Sequence, residues 1–163
     1  METAVNIIKQ ATKNTSMKLF NSEKAITFKS GYTSTIIAEL TVLTNNGNKT
    51  PYPLIAMFTE LVTEKTDGGL LEFNIPKIAI CCRTIDGLSE AQRLEHNFKE
   101  ILYPIFEEFQ NQLQKIDLGY DLILQRSDVA YYTESNSKSG KFNDMIDAII
   151  VKNTKIKTTL NKC

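Results

Sequence analysis

The sequence predicts an α+β domain: an antiparallel or mixed β-sheet with one long, kinked helix packed across it. Three observations between Asn74 and Lys115 carry that expectation. The run Ile75-Pro76-Lys77-Ile78-Ala79-Ile80-Cys81-Cys82 is β-branched and apolar, with Pro76 near its start, where a strand best tolerates a missing donor. Asp86-Gly87 breaks it, and Ser89-Glu90-Ala91-Gln92 then has the form of a capping box, with Ser89 accepting from the Gln92 backbone and Gln92 reaching back. Beyond the box, Leu94, Phe98, Ile101, Leu102, Ile105, Phe109, Leu113 and Ile116 recur at three- and four-residue steps, one stripe of a helix. Glu95, Lys99, Glu100, Glu107, Glu108, Gln112 and Lys115 make the opposite, wet side. Pro104 falls inside this helix, removes the bond to the Glu100 carbonyl and is expected to bend the axis.

From the N-terminus, Ala4 to Gln10 is a short apolar-periodic helix (Val5, Ile8, Ala11) that continues only weakly through the polar run Thr12 to Ser16. Met17-Lys18-Leu19-Phe20, Ile26 and Phe28 suggest extended structure around an Asn21-Ser22-Glu23 turn, and Ser30-Gly31 is punctuation. Thr33 to Leu43 predicts a short helix with Ile36, Ile37, Leu40 and Leu43 on one side, its threonines weakening the signal. Asn45-Asn46-Gly47-Asn48 is a turn cluster. Tyr52 to Val62 reads as a strand, and the Asp67-Gly68-Gly69 turn folds it back on Leu70 to Cys82 as a long antiparallel hairpin. After Gly119 the chain turns extended again, through Leu122-Ile123-Leu124 and Val129-Ala130-Tyr131-Tyr132. Thr133 to Lys141 is a polar loop, Phe142 restores apolar character, and Met145 to Ile156 is the last strand signal, followed by a Lys/Thr tail over 154–163. The expected sheet therefore comprises segments 52–62, 70–82, 122–132 and 145–158, the N-terminal segments covering another part of it. No internal repeat or second-domain boundary is visible in the 163 residues, so a single domain is expected, burying roughly 70% of its unfolded surface.

Nineteen basic residues balance nineteen acidic ones, so no overall positive field draws the chain to nucleic acid or anionic membrane. No apolar run approaches ~20 residues and no signal-peptide core is present, so a soluble, non-secreted chain is expected. Cys81, Cys82 and Cys163 are an odd set; adjacent strand cysteines point to opposite faces, which favours buried, reduced thiols.

Chemical motifs are few. His96 is the single histidine, without the further ligands that metal binding needs, and fits a helix-flank residue. Carboxylate pairs such as Glu107-Glu108, or Asp144 with Asp147, have the groups for acid–base work, but nothing in the sequence isolates one member in an apolar pocket. Ser137-Lys138-Ser139-Gly140-Lys141 lacks the first glycine of a phosphate-binding loop, and Phe142 replaces its hydroxyl residue. No enzymatic activity, cofactor or metal is expected. Lys152, Lys155, Lys157 and Lys162 alternate with Asn and Thr; such lysines either guard a sheet edge from unwanted pairing or face DNA phosphates.

Three segments in order resemble a known family: Tyr52-Pro53-Leu54-Ile55-Ala56-Met57-Phe58; then Ile75 to Ile80 followed by Gln92-Arg93-Leu94-Glu95, Phe98-Lys99 and Ile101 to Phe109; then Phe142 to Val151 with Asn153. Over about Tyr52 to Lys157 they are similar to small neck proteins encoded near the head–tail genes of Bacteroidetes bacteriophages, including crAss-like phages. Cys81-Cys82 stands where that family would usually carry small or hydroxyl residues. The resemblance implies a tail-terminator-like fold and a non-enzymatic virion protein of the head–tail connector kind. It would be assembled in the host cytoplasm as a homo-oligomeric ring around the DNA path, beside portal or adaptor and tail proteins, with no membrane partner. A ring needs heterologous contacts between copies. Segment 129–142, an extended hairpin arm carrying Tyr131, Tyr132 and Phe142, could lie on a neighbour, and Ile150 on the final strand belongs to the same candidate interface. Strand addition at the Lys-rich final strand is a second route, and closing the monomer's own core is an equal alternative for the tyrosines. Lys152, Lys155 and Lys157 are the candidate DNA-facing residues, both in a ring and in the alternative of a small DNA-binding protein.

Overall fold

The computed structural model describes residues 2–45, 51–85, 87–116, 128–133 and 146–159; side chains are described for these except at 2, 40–45, 128–133 and 158–159. The chain runs α1 (Glu2–Phe20), β1 (Thr27–Gly31), α2 (Thr33–Asn45), β2 (Leu54–Phe58), β3 (Thr63–Asp67), β4 (Leu70–Arg83), α3 (Glu90–Arg93), a π-helical segment (Leu94–Leu102), α4 (Tyr103–Lys115), β5 (Asp128–Thr133) and β6 (Ile146–Thr159). The six strands form one mixed sheet in the order β1-β2-β4-β6-β5, with β3 also on β4. The expected turn at residues 46–48, segment 122–127, the loop beyond Thr133 with Phe142 and Asp144, residues 160–163 and Cys163 lie outside the described residues.

The N-terminal region differs most from expectation. Helix α1 does not fade at Thr12, and Met17 to Phe20 are helical, not extended. Its buried face continues as Ala4, Ile7, Ile8, Ala11, Thr12, Thr15 and Ser16, an unbroken helical stripe whose second half is built from hydroxyl residues. Burial is tolerated because each hydroxyl has a partner. Thr12 donates to the Ile8 carbonyl (2.9 Å) and Thr15 to the Ala11 carbonyl (2.8 Å), while Ser16 donates to the Ser22 carbonyl and accepts from the Ile26 N–H (3.0 Å). Asn21, at φ 53°, ends the helix and donates its N–H to the Met17 carbonyl (3.0 Å). The N-terminal segments also do more than cover the sheet, because β1 pairs parallel with β2 and α2 forms the crossover between them.

The expected hairpin is present but interrupted. Gly68 and Gly69, both at positive φ, make the two-residue turn between β3 and β4. β3 pairs with β4 from Asp67↔Leu70 to Thr63↔Asn74, and β2 takes over at Met57↔Ile78. Residues 58–62 thus stand opposite 75–77, five against three, and the surplus is taken up by a turn closed by Val62 N–H to the Thr59 carbonyl (3.3 Å). The strand expected over 52–62 is therefore two shorter ones. Pro76 lies in the middle of β4, not near its start, at the level where its neighbour changes.

The same level reverses the side-chain alternation. In β4 the residues on the helix-covered face are Leu71, Phe73 and Ile75, then Ile78, Ile80 and Cys82. In β6 they are Ile149 and Val151, then buried Thr154, the ladder partner of Ile75, and Ile156. The step of three in each strand flanks Pro76 and Asn153, and pairing keeps its register across it, from Ile75↔Thr154 to Lys77↔Lys152. β4 thereby keeps apolar residues on one face along its length, and β6 keeps Ile149, Val151 and Ile156 on the same side.

That face packs against α1, α3, the π segment and α4 in a core that includes Phe73, Phe98, Leu102, Ile105 and Phe109. On the other face, a smaller cluster of Leu54, Ala56, Phe58, Ala79, Cys81, Ile146 and Ala148 meets Ile36 of α2. Cys81 and Cys82 fall in different clusters, on opposite faces as expected.

The capping box also forms as expected: Gln92 N–H donates to Ser89 Oγ (3.3 Å) and Ser89 N–H donates to Gln92 Oε1 (2.9 Å). The helix beyond it runs on past Pro104. Nine residues, Leu94–Leu102, wind as a π-helix; the Tyr103 N–H reaches the Phe98 carbonyl five residues back, and α geometry resumes with Pro104 in the first turn of α4. A missing donor costs little there. Two expected positions change in consequence: Leu94 is 54% exposed, and Arg93 and Asn97 are buried in its place.

Candidate functional site

Two constellations emerge once the elements are assembled. The first is a buried polar cluster where the long helix meets the sheet. Arg93 and Asn97 reach inward from α3 and the π segment, Thr84 follows β4, and Asp147 lies near the start of β6. Asn97 Nδ2 donates to Asp147 Oδ2 (2.6 Å) and to Thr84 Oγ1 (2.9 Å), and Arg93 Nη1 lies 3.6 Å from Asp147 Oδ1. Asp147 is fully buried and Arg93 nearly so. An ion pair taken out of water repays its desolvation only with good geometry and further hydrogen bonds, so its clearest role is to fix one arrangement of helix on sheet. Asp147, considered with Asp144 as an acid–base pair, is a fully buried carboxylate that accepts from the Asn97 amide and lies beside the Arg93 guanidinium, and Asp144 is outside the described residues.

Cys82 is the ladder partner of Asp147. Burial, then the Asp147 charge, pushes its thiol up to about 12; burial, then Cys82, does the same for Cys81. Both therefore stay protonated near neutrality and are poor nucleophiles. Among the described residues no group of three His, Cys, Asp or Glu side chains could hold a metal ion. His96 lies on the exposed side of the π segment, 3.8 Å from Glu100. No helix among the described residues is long and apolar enough to cross a membrane.

The second constellation is the sheet face turned away from the long helix. Lys152 shares that face with Ile146, Ala148 and Ile150, and Lys155 and Lys157 join it by alternating with the oppositely directed Ile156. The reversal at Asn153 is what brings all three lysines to one side; strict alternation would have put Lys152 opposite the other two. Lys77, the ladder partner of Lys152, joins them, its Nζ 4.4 Å above the Phe58 ring. Lys157 is paired with Glu72 at 3.1 Å, so part of its charge is met within the sheet. Lys155 and Lys157 lie in strand, as the expected 145–158 segment has it, because Thr154 to Thr159 pairs with β4 down to Leu70.

Of the candidate interface residues, Tyr131 and Tyr132 occupy β5, which pairs with the chain's own β6 at Tyr131↔Ile149 and Tyr132↔Ala148. Ile150 is half-buried, packed against the Ile36 cluster, and Phe142 is outside the described residues. β5 reaches only to Asp128↔Lys152, so among the described residues β6 beyond Lys152 is paired on its β4 side alone. Sequence reasoning missed Arg93, Asn97, Thr84 and Lys77. The signal for Lys77 was present in the three-residue step from Ile75 to Ile78. No protein-family model matches the chain, and no curated protein matches it either.

Proposed function

We propose that this chain is a non-enzymatic structural subunit of a bacteriophage neck, with a tail-terminator-like fold, that assembles as a homo-oligomeric ring joining portal or adaptor to tail around the DNA path. The observation that carries this reading is where the resembling segments fall. They make up β2, the middle of β4, the helix over 92–109 and the first half of β6, so they fall on consecutive strands of the sheet and the helix packed across them. The stretch of β6 beyond Lys152, which β5 does not reach among the described residues, and the lysines on one sheet face suit a subunit that meets its copies along a strand and presents positive charge to a polyanion. Light scattering and negative-stain imaging of the purified chain, alone and with portal, adaptor and tail proteins, test it. Rings support the reading, and a strict monomer under every condition removes it.

The gathering of Lys77, Lys152 and Lys155 favours one second reading, a small DNA-binding protein that acts without a ring. Fluorescence anisotropy with a short duplex would then show salt-dependent binding by the monomer. Neutralising Lys152 and Lys155 would lower the salt slope by about two, given roughly 0.9 per phosphate contacted.

A further inference from the structure

We propose that the helix over residues 94–102 has two registers, the observed π register and an α register, and that buried Asp147 selects between them by drawing Arg93 and Asn97 inward. The two registers are written into one sequence. Running the α4 helix backwards at about 100° per residue from Ile105 brings Phe98 and Leu94 to within about 20° of it and turns Arg93 about 120° away. In that register Leu94 completes the apolar stripe and Arg93 points to solvent. The observed winding does the reverse: Arg93 is 5% exposed and Leu94 54% exposed. Phe98 and Leu102 are buried here and lie within about 60° of Ile105 in the α register as well. The switch is thus confined to the first turns and leaves the packed half of the helix in place.

What holds the observed register is specific. Arg93 Nη1 and Asn97 Nδ2 both address the Asp147 carboxylate, at 3.6 Å and 2.6 Å, and nothing comparable holds Leu94 outside. Nine residues of π winding are unusual, since π geometry ordinarily occurs as single-turn bulges, often at functional sites. The π register therefore depends on a buried contact with β6 and not on local preference, and changing register hides or presents Leu94 at the surface. This is a two-state element biased at the Asp147 carboxylate, with the Asn97–Thr84 hydrogen bond (2.9 Å) on the same side of the balance.

The test uses the full chain carrying Cys163→Ser and Leu94→Cys, with thiol labelling as the readout. Cys81 and Cys82 are buried and stay silent in the folded protein. With Asp147 intact, Cys at position 94 is expected to label quickly. Adding Asp147→Leu, which removes the carboxylate that Arg93 and Asn97 both address, is expected to slow labelling on the order of tenfold or more while the far-UV circular dichroism of the fold is retained. Asp147→Asn, which keeps the size and one acceptor, is expected to give an intermediate rate. Equal labelling rates in folded proteins would overturn the proposal. So would loss of the fold in both variants, because a helix with a second register has an arrangement to adopt.

Discussion

Pro76 and Asn153 occupy the one gap in the β4–β6 ladder, between Ile75↔Thr154 and Lys77↔Lys152, and Asn153 sits there at φ 55°. The proline has no N–H to donate and the asparagine takes a left-handed turn, so both strands reverse their alternation at one level without losing register. That single step keeps Ile156 in the core and puts Lys152 on the same side as Lys155 and Lys157.

Asn153 is required for its backbone more than its side chain. Asn153→Gly is expected to change stability by less than about 1 kcal/mol, whereas Asn153→Val, β-branched and poorly suited to positive φ, is expected to cost about 1–2 kcal/mol. Urea unfolding of the two variants against the parent chain measures the difference.

Asn97 is the hub of the buried cluster, donating to both Asp147 and Thr84. Asn97→Leu leaves a carboxylate oxygen and a hydroxyl without that donor and is expected to cost about 1–3 kcal/mol. Adding Thr84→Val to Asn97→Leu should cost little more than Asn97→Leu alone, since the two share one interaction. A double-mutant cycle by denaturant unfolding reads this as a non-zero coupling.

The buried thiols link stability to alkaline pH. Cys81 and Cys82 hold their protons to about 12 when folded, against 9.0 for an unperturbed thiol. The folded chain therefore keeps protons that the unfolded chain has released. The associated stability is complete below about pH 9 and falls as pH rises toward about 12, by about 1.4 kcal/mol per pH unit for each thiol. Cys81→Ala should flatten the decline in unfolding midpoint between about pH 9 and about pH 10.5, and an unchanged slope would contradict it.

Ser89 is exposed, so its contribution is confined to the cap. Ser89→Ala is expected to lower stability by about 1 kcal/mol, and Ser89→Asp to retain most of it, because an aspartate also accepts from the N3 backbone. Thermal unfolding of both variants distinguishes loss of a cap from general loss of packing.

The readable parts of this fold were those where local chemistry and periodicity agree. The capping box formed on Ser89 and Gln92, the Gly68-Gly69 turn set the β3–β4 hairpin, α2 formed over the Thr33 to Leu43 signal, and the cysteines parted to opposite faces. Helix α1 was misread because its buried face is half hydroxyl, and hydroxyls look like surface until their partners are known. Thr12 and Thr15 are satisfied within the helix, whereas Ser16 depends on Ser22 and Ile26, several residues away.

The amino-acid order alone determined the mixture of sheet and long helix, the strands around Ile80 and Ile150, and where the long helix begins, since each follows from contacts within a few residues. Tertiary structure decided which residues of that helix turn inward, because the attraction of Asp147 for Arg93 and Asn97 joins positions about fifty apart and overrides the apolar claim of Leu94. It likewise decided which side of the sheet the lysines share, since that depends on two strands stepping together at Pro76 and Asn153. Short-range preference can specify a helix or a strand, but its phase is settled by the partner it packs against.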